Sequence, residues 1–207
     1  MQLGVPRDAR ALAVLGHGAG GDVTTPAVVA VAQGLMACGI AVARVDQPYR
    51  VAGRRAPAPA PQLDTAMLDV IRWLRGHDAL STTALVVGGK SSGARVACRV
   101  ARRAGAVGVV ALGFPLHPPA RPERSRRDDL LAARCAVLVC QGTRDSFGSP
   151  AKVAAAANGD PLITVHAVTG GDHSFVARRV DGRTTAQCLA EVSEVVGQWV
   201  LGQVGTT

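Results

Sequence analysis

Six short apolar runs recur along the chain, and each is followed by a longer segment with helical patterning. The runs cover residues 11–15, 40–45, 83–87, 107–112, 136–140 and 162–168. None alternates strictly between apolar and polar residues. Runs of this kind suit strands buried on both faces of a parallel sheet. The helical segments cover 25–38, 63–76, 92–103, 128–134, 150–157 and 185–201. The first has Thr25 as a cap and Pro26 at its first helical position. The repeated strand-then-helix order predicts an α/β fold: a mostly parallel open sheet of about six strands, with helices on both faces. Residues 1–207 are expected to form a single domain, since that length suits one. The tract Ala56, Pro57, Ala58, Pro59, Ala60, Pro61 reads as a stiff extended connector.

Composition fixes what fills such a fold. Hydrophobic residues make up 48% and aromatics only 3%, so the core must be built from Ala, Val and Leu. The formal net charge is +8, and Lys90 and Lys152 are the only lysines. That charge permits nucleic acid or acidic ligands without requiring either. Nucleic acid is not expected, because basic residues are not interleaved with aromatics for stacking. Five cysteines without a C-x-x-C pair read as small core residues of a reducing compartment. No run approaches the ~18 apolar residues of a membrane span. A soluble cytoplasmic protein, with no membrane partner and a small-molecule substrate, is the expectation.

In open parallel sheets, chemistry gathers beyond the carboxyl ends of the strands. The first strand delivers His17, Gly18, Ala19, Gly20 and Gly21. The third delivers Gly89, Lys90, Ser91, Ser92 and Gly93. The fifth leads to Gly142, Thr143, Arg144 and Asp145, and the sixth to Gly170, Gly171, Asp172 and His173. The third set matches G-x-S-x-G. A serine on a sharp strand-to-helix turn needs small residues two positions to either side. Ser91 has Gly89 and Gly93 there, whereas Ser92 would have Lys90 and Ala94, so Ser91 is the candidate nucleophile. The N–H groups of Ser92 and Ala19 are the candidate oxyanion donors. Asp145 is preferred as the acid over Asp172, which adjoins His173, and over Asp181, which lies beyond it.

Two other readings compete. Gly89-Lys90-Ser91 resembles the end of a P-loop, but that motif needs glycine where Ala84 stands. Gly16 to Gly21 loosely fits a dinucleotide loop with Asp46 as its acidic partner, but this leaves Ser91, Asp145 and His173 without a role.

These motifs resemble the α/β-hydrolase superfamily, in its small, lidless, dienelactone-hydrolase-like branch. More narrowly, several groups resemble the α/β-hydrolase-like family that includes testis-expressed protein thirty. They are Gly16 to Gly20, Pro48-Tyr49, Gly89 to Arg95, Phe114 to Pro119, Gly142 to Asp145 and Asp172 to Phe175. The resemblance spans about residues 11–201. It implies a Ser–His–Asp triad of Ser91, His173 and Asp145, and the expected chemistry is hydrolysis of a small ester or related acyl substrate with no metal or organic cofactor. The chain is short for the superfamily, so the initial antiparallel strands are expected to be missing, and no insertion is long enough for a lid. His17, Tyr49, Arg50 and Lys90 are candidate substrate contacts, and Arg54 and Arg55 would extend a basic rim. The alternative is a binding or scaffolding protein that keeps the fold without turnover and uses its basic surface.

Overall fold

A computed structural model describes residues 1–81 and 83–205. Thr206 and Thr207, the end of the expected domain, lie outside the described residues. The strands are β1 (Gln2–Gly4), β2 (Ala11–Gly16), β3 (Ile40–Val45), β4 (Ala84–Lys90), β5 (Gly108–Leu112), β6 (Ala136–Gly142) and β7 (Ile163–Val168). The helices are α1 (Pro26–Ala37), α2 (Pro48–Val51), α3 (Ala60–Arg75), α4 (Asp78–Ser81), α5 (Ser92–Ala104), α6 (Arg127–Leu131), α7 (Pro150–Ala157) and α8 (Thr185–Val204). One sheet of seven strands runs in the order β1-β3-β2-β4-β5-β6-β7. All neighbours are parallel except β1, which pairs antiparallel with β3.

The α/β architecture agrees with the sequence reading, and six of the seven strands are the six apolar runs. The seventh corrects the expectation that no initial antiparallel strand remains. Gln2, Leu3 and Gly4 add a short edge strand, mostly exposed. Three residues at a solvated edge carry no apolar pattern, so nothing marked them as a strand. The Ala/Pro tract is not extended throughout, because α3 starts at Ala60 with Pro61 in its first turn, where a missing N–H costs no hydrogen bond.

The sheet separates two packed layers. On one face α3, α5, α6 and α7 cover Leu12, Val14, Leu85, Val87, Val109 and Val137. On the other, α1 and α8 cover Ala13, Leu15, Val86, Val110 and Leu138. The central strands are fully buried, as their continuous apolar sequence requires. Cys98, Cys140 and Cys188 are buried as free thiols, while Cys38 and Cys135 are partly exposed. Among the described residues no helix is long and apolar enough to cross a membrane.

Candidate active site

Strand β4 ends at Lys90 and α5 begins at Ser92, so Ser91 has to turn the chain alone. It does so at φ 53° and ψ −109°. A positive φ at a residue with a Cβ costs on the order of 1–3 kcal/mol. The turn is pinned by the Ser91 N–H, which donates to Leu112 O at 2.9 Å. Its glycine flanks are a steric requirement. A Cβ on Gly89 would lie 2.4 Å from Gly16 O, and one on Gly93 would lie 2.5 Å from the same oxygen. Strand β2 thus crosses against the turn at backbone contact, and of the two serines it is Ser91 that occupies the bend.

His173 arrives from the loop after β7. Its Nε2 lies 2.9 Å from Ser91 Oγ, and its Nδ1 lies 2.8 Å from Asp145 Oδ2. A carboxylate oxygen can only accept, so Nδ1 carries the proton and Nε2 is left to accept from the serine hydroxyl. The Asp145 side chain is fully buried. Its Oδ1 accepts from the Phe147 N–H at 2.8 Å, and its Oδ2 also accepts from Gln141 Nε2 at 2.8 Å. The Phe147 ring stacks on the imidazole with centroids 4.1 Å apart. Asp172 is turned elsewhere: its Oδ1 accepts from the Ser174 and Val176 N–H groups and shapes the loop that carries His173.

The turn after β2 lies against the serine, since a Cβ on Gly18 would meet Ser91 Cβ at 3.3 Å. The Gly18 carbonyl is drawn away from the cleft by three donors: His17 Nδ1 at 2.7 Å, the Gly21 N–H at 3.1 Å and the Tyr49 hydroxyl at 3.4 Å. The peptide unit is planar and trans, so the N–H of Ala19, its other end, points the opposite way. His17 Nε2 accepts from the Gln47 N–H at 3.0 Å, which fixes the imidazole with its proton on Nδ1. Burial raises the Tyr49 phenol above the ordinary tyrosine range, so it stays a donor. His17 and Tyr49 are both buried beneath the turn, where they hold it rather than face the cleft.

The cleft has a volume of about 680 Å³, and Ala19, Ser91, Ser92, His173 and Lys90 all contribute to its wall. Lys90 is only 4% exposed. Burial pushes its ammonium down to about 8, against the pull of the Asp145 and Asp172 carboxylates. The structure does not bring Arg50, Arg54 or Arg55 to this wall. Arg50 instead sits 3.8 Å from Asp22. Besides Lys90, the basic residues that do line it are Arg95, Arg99 and Arg126.

Sequence reasoning missed Gln141 and Phe147. Gln141 had a legible signal, a lone amide at the end of the otherwise apolar strand Ala-Val-Leu-Val-Cys-Gln-Gly. A polar side chain in such a strand needs internal partners, and it has them. Its Nε2 reaches Asp145, Phe114 O and Gly148 O, and its Oε1 accepts from the Phe114 N–H. Phe147 had no signal, because its stacking depends on the path of the loop after β6.

The fold recurs among solved structures. Est1E from Butyrivibrio proteoclasticus, solved with ferulic acid bound, superposes with a TM-score of 0.77 at 18% identity, over 99% of this chain and 94% of that one. An α/β serine hydrolase without a lid from Xanthomonas campestris gives 0.71 at 20% identity, over 95% and 87%. A dienelactone hydrolase from Anabaena variabilis gives 0.69 at 19% identity, over 97% and 89%. At these identities the likeness is one of fold. No curated protein sequence matches the chain. The model of the alpha/beta hydrolase domain matches residues 9–201, nearly the full length, and the chain therefore belongs to that family.

Proposed function

We propose that the protein is a serine hydrolase of small esters, built as one domain over residues 1–207, with Ser91 as nucleophile, His173 as general base and Asp145 as its orienting acid. The observation that carries this reading is the unbroken line of hydrogen bonds from Ser91 Oγ through His173 to the buried Asp145. His173 Nε2 takes the hydroxyl proton as Oγ attacks the ester carbonyl carbon. The Ala19 and Ser92 N–H groups receive the oxyanion. Ser92 is the first residue of α5, and an N–H there has no acceptor within the helix. The leaving alkoxide takes the proton from His173, leaving an acyl group on Ser91. Water then attacks that carbonyl, giving its proton to the same nitrogen, and the carboxylic acid departs as Oγ recovers its hydrogen. These steps use side chains and backbone N–H groups of this chain. A small-molecule substrate suits the cleft, as ferulic acid suits Est1E.

The direct test is labelling with a fluorophosphonate followed by peptide mapping. The adduct is expected on Ser91, with Ser92 free. Short p-nitrophenyl esters are expected to turn over, and Ser91→Ala to lower kcat by on the order of 10³-fold or more. An adduct on Ser92, or none, overturns the assignment.

A further inference from the structure

Beyond the serine, the wall of the cleft carries an uneven set of charges. Lys90, Arg95, Arg99 and Arg126 line it, and among the described residues no Asp or Glu does. The carboxylates that answer these cations stand behind the wall. Arg99 is gripped by Asp64 through Nε and Nη2, and Asp129 lies 3.4 Å from its Nη1. Arg95 Nε donates to Asp129 at 2.5 Å. Lys90 is drawn to Asp145 and Asp172. Arg126 is different. Its Nη1 donates to Pro115 O at 3.1 Å, and it has no carboxylate partner among the described residues. Burial and the neighbouring Arg95 and Arg124 bear against its charge, and Asp129 offsets them only in part.

We propose that Arg126, flanked by Arg95, is an anion subsite of the cleft, and that the substrates are esters carrying a carboxylate several bonds from the scissile carbonyl. This rests on the hydrolase reading of Ser91. A guanidinium offers a planar fork of donors that matches a carboxylate, and it keeps its charge at all working pH. One unanswered guanidinium calls for one negative charge, which selects a carboxylate over a phosphate monoester. Arg95, the neighbour of Arg126, lies four residues beyond Ser91, about 6 Å along α5. The same wall carries the apolar residues Pro57, Ala58 and Leu63. A short hydrocarbon spacer between ester and carboxylate fits that interval. Asp64 and Asp129 hold Arg99 and Arg95 in place without entering the cleft, so an incoming anion meets no carboxylate.

The test pairs turnover with binding. Mono-p-nitrophenyl esters of succinate, glutarate and adipate are compared with the neutral butyrate, valerate and hexanoate esters. At least one anionic ester is expected to exceed its neutral counterpart by about tenfold or more in kcat/KM, with added salt eroding the preference. Arg126→Gln is expected to remove that preference by raising KM for the anionic esters far more than for the neutral ones. Calorimetric titration with adipate, expected to bind the wild type and not Arg126→Gln, needs no turnover. Adipate binding that depends on Arg126 in a protein whose Ser91 does not react keeps the subsite and removes the hydrolase reading. Neutral esters hydrolysed as fast as anionic ones, with no Arg126-dependent adipate binding, overturn the subsite and leave the hydrolase reading standing. Phenyl phosphate binding in place of adipate also overturns it.

Discussion

Gln141 donates from Nε2 to Asp145 Oδ2 at 2.8 Å, from the buried end of β6 to the loop that follows it. The same amide accepts from the Phe114 N–H, so it ties the acid to the loop after β5. Gln141→Leu keeps the volume but strands that N–H in the core. We expect a loss of about 1–3 kcal/mol in chemical denaturation. We also expect a fall in kcat larger than any change in KM, because Asp145 loses one of the groups that aim it.

Tyr49 acts at one remove from the chemistry. Its hydroxyl is one of three donors that keep the Gly18 carbonyl turned from the cleft. Tyr49→Phe removes that donor alone. Losing an oxyanion donor outright costs on the order of 10²–10³ in kcat, and loosening one that two other donors still hold should cost about tenfold or less. Steady-state kinetics should show the loss in kcat with KM unchanged.

Lys90 makes stability depend on pH. Its pKa in the fold is about 8, below the ordinary 10.5. Between those values the unfolded chain holds a proton that the folded chain has lost, so this group's contribution to stability rises with pH across the window. Below about 8 both states are charged and the cost of burial is complete. The gap corresponds to about 3 kcal/mol. Lys90→Met is therefore expected to stabilise the protein at pH 7 by up to about that amount, with the gain shrinking toward pH 10. Urea denaturation at the two pH values checks it.

The acid assignment separates two neighbouring loops. Asp145→Asn is expected to leave the fold intact and lower kcat by on the order of 10³-fold or more, since an amide facing Nδ1 can favour the wrong tautomer of His173. Asp172→Asn keeps an oxygen for the Ser174 and Val176 N–H groups and should stay within about tenfold of wild type. A reversal of the two rates would move the acid to Asp172.

The order of elements and the gathering of Ser91, Asp145 and His173 at one sheet edge were legible because each depends on local pattern. Apolar runs mark strands, and a glycine two residues either side marks Ser91. Less legible was anything set by where two distant loops meet. His17 and Tyr49 read as substrate contacts, since a glycine-rich turn shows which residues are near a site but not which lie beneath it. The cations of the cleft were sought at Arg50 to Arg55, beside the apparent rim. Lys90 does line the cleft, but the other cations come from the inward side of α5 and from Arg126, just before α6. The short strand β1 was too brief and too exposed to show periodicity.

Helix α8 packs on α1, where Ser193 Oγ donates to Ala30 O at 2.9 Å across 163 positions of chain. Ser91 and His173 are themselves 82 positions apart. Neither contact has a local precursor, so the Ser91–His173 contact can form only once most of the chain is present. During vectorial synthesis the bend at Ser91 emerges well before His173 does, and a partly made chain carries that serine without its imidazole partner. In the finished protein the reverse holds. Cys188, Val192, Val196 and Val200 anchor the C-terminal helix, and its start is tied to the loop bearing His173 through Thr185 Oγ1, which accepts from the Ala177 N–H. A displacement of that loop would part His173 from Ser91 while β2 to β5 are still intact.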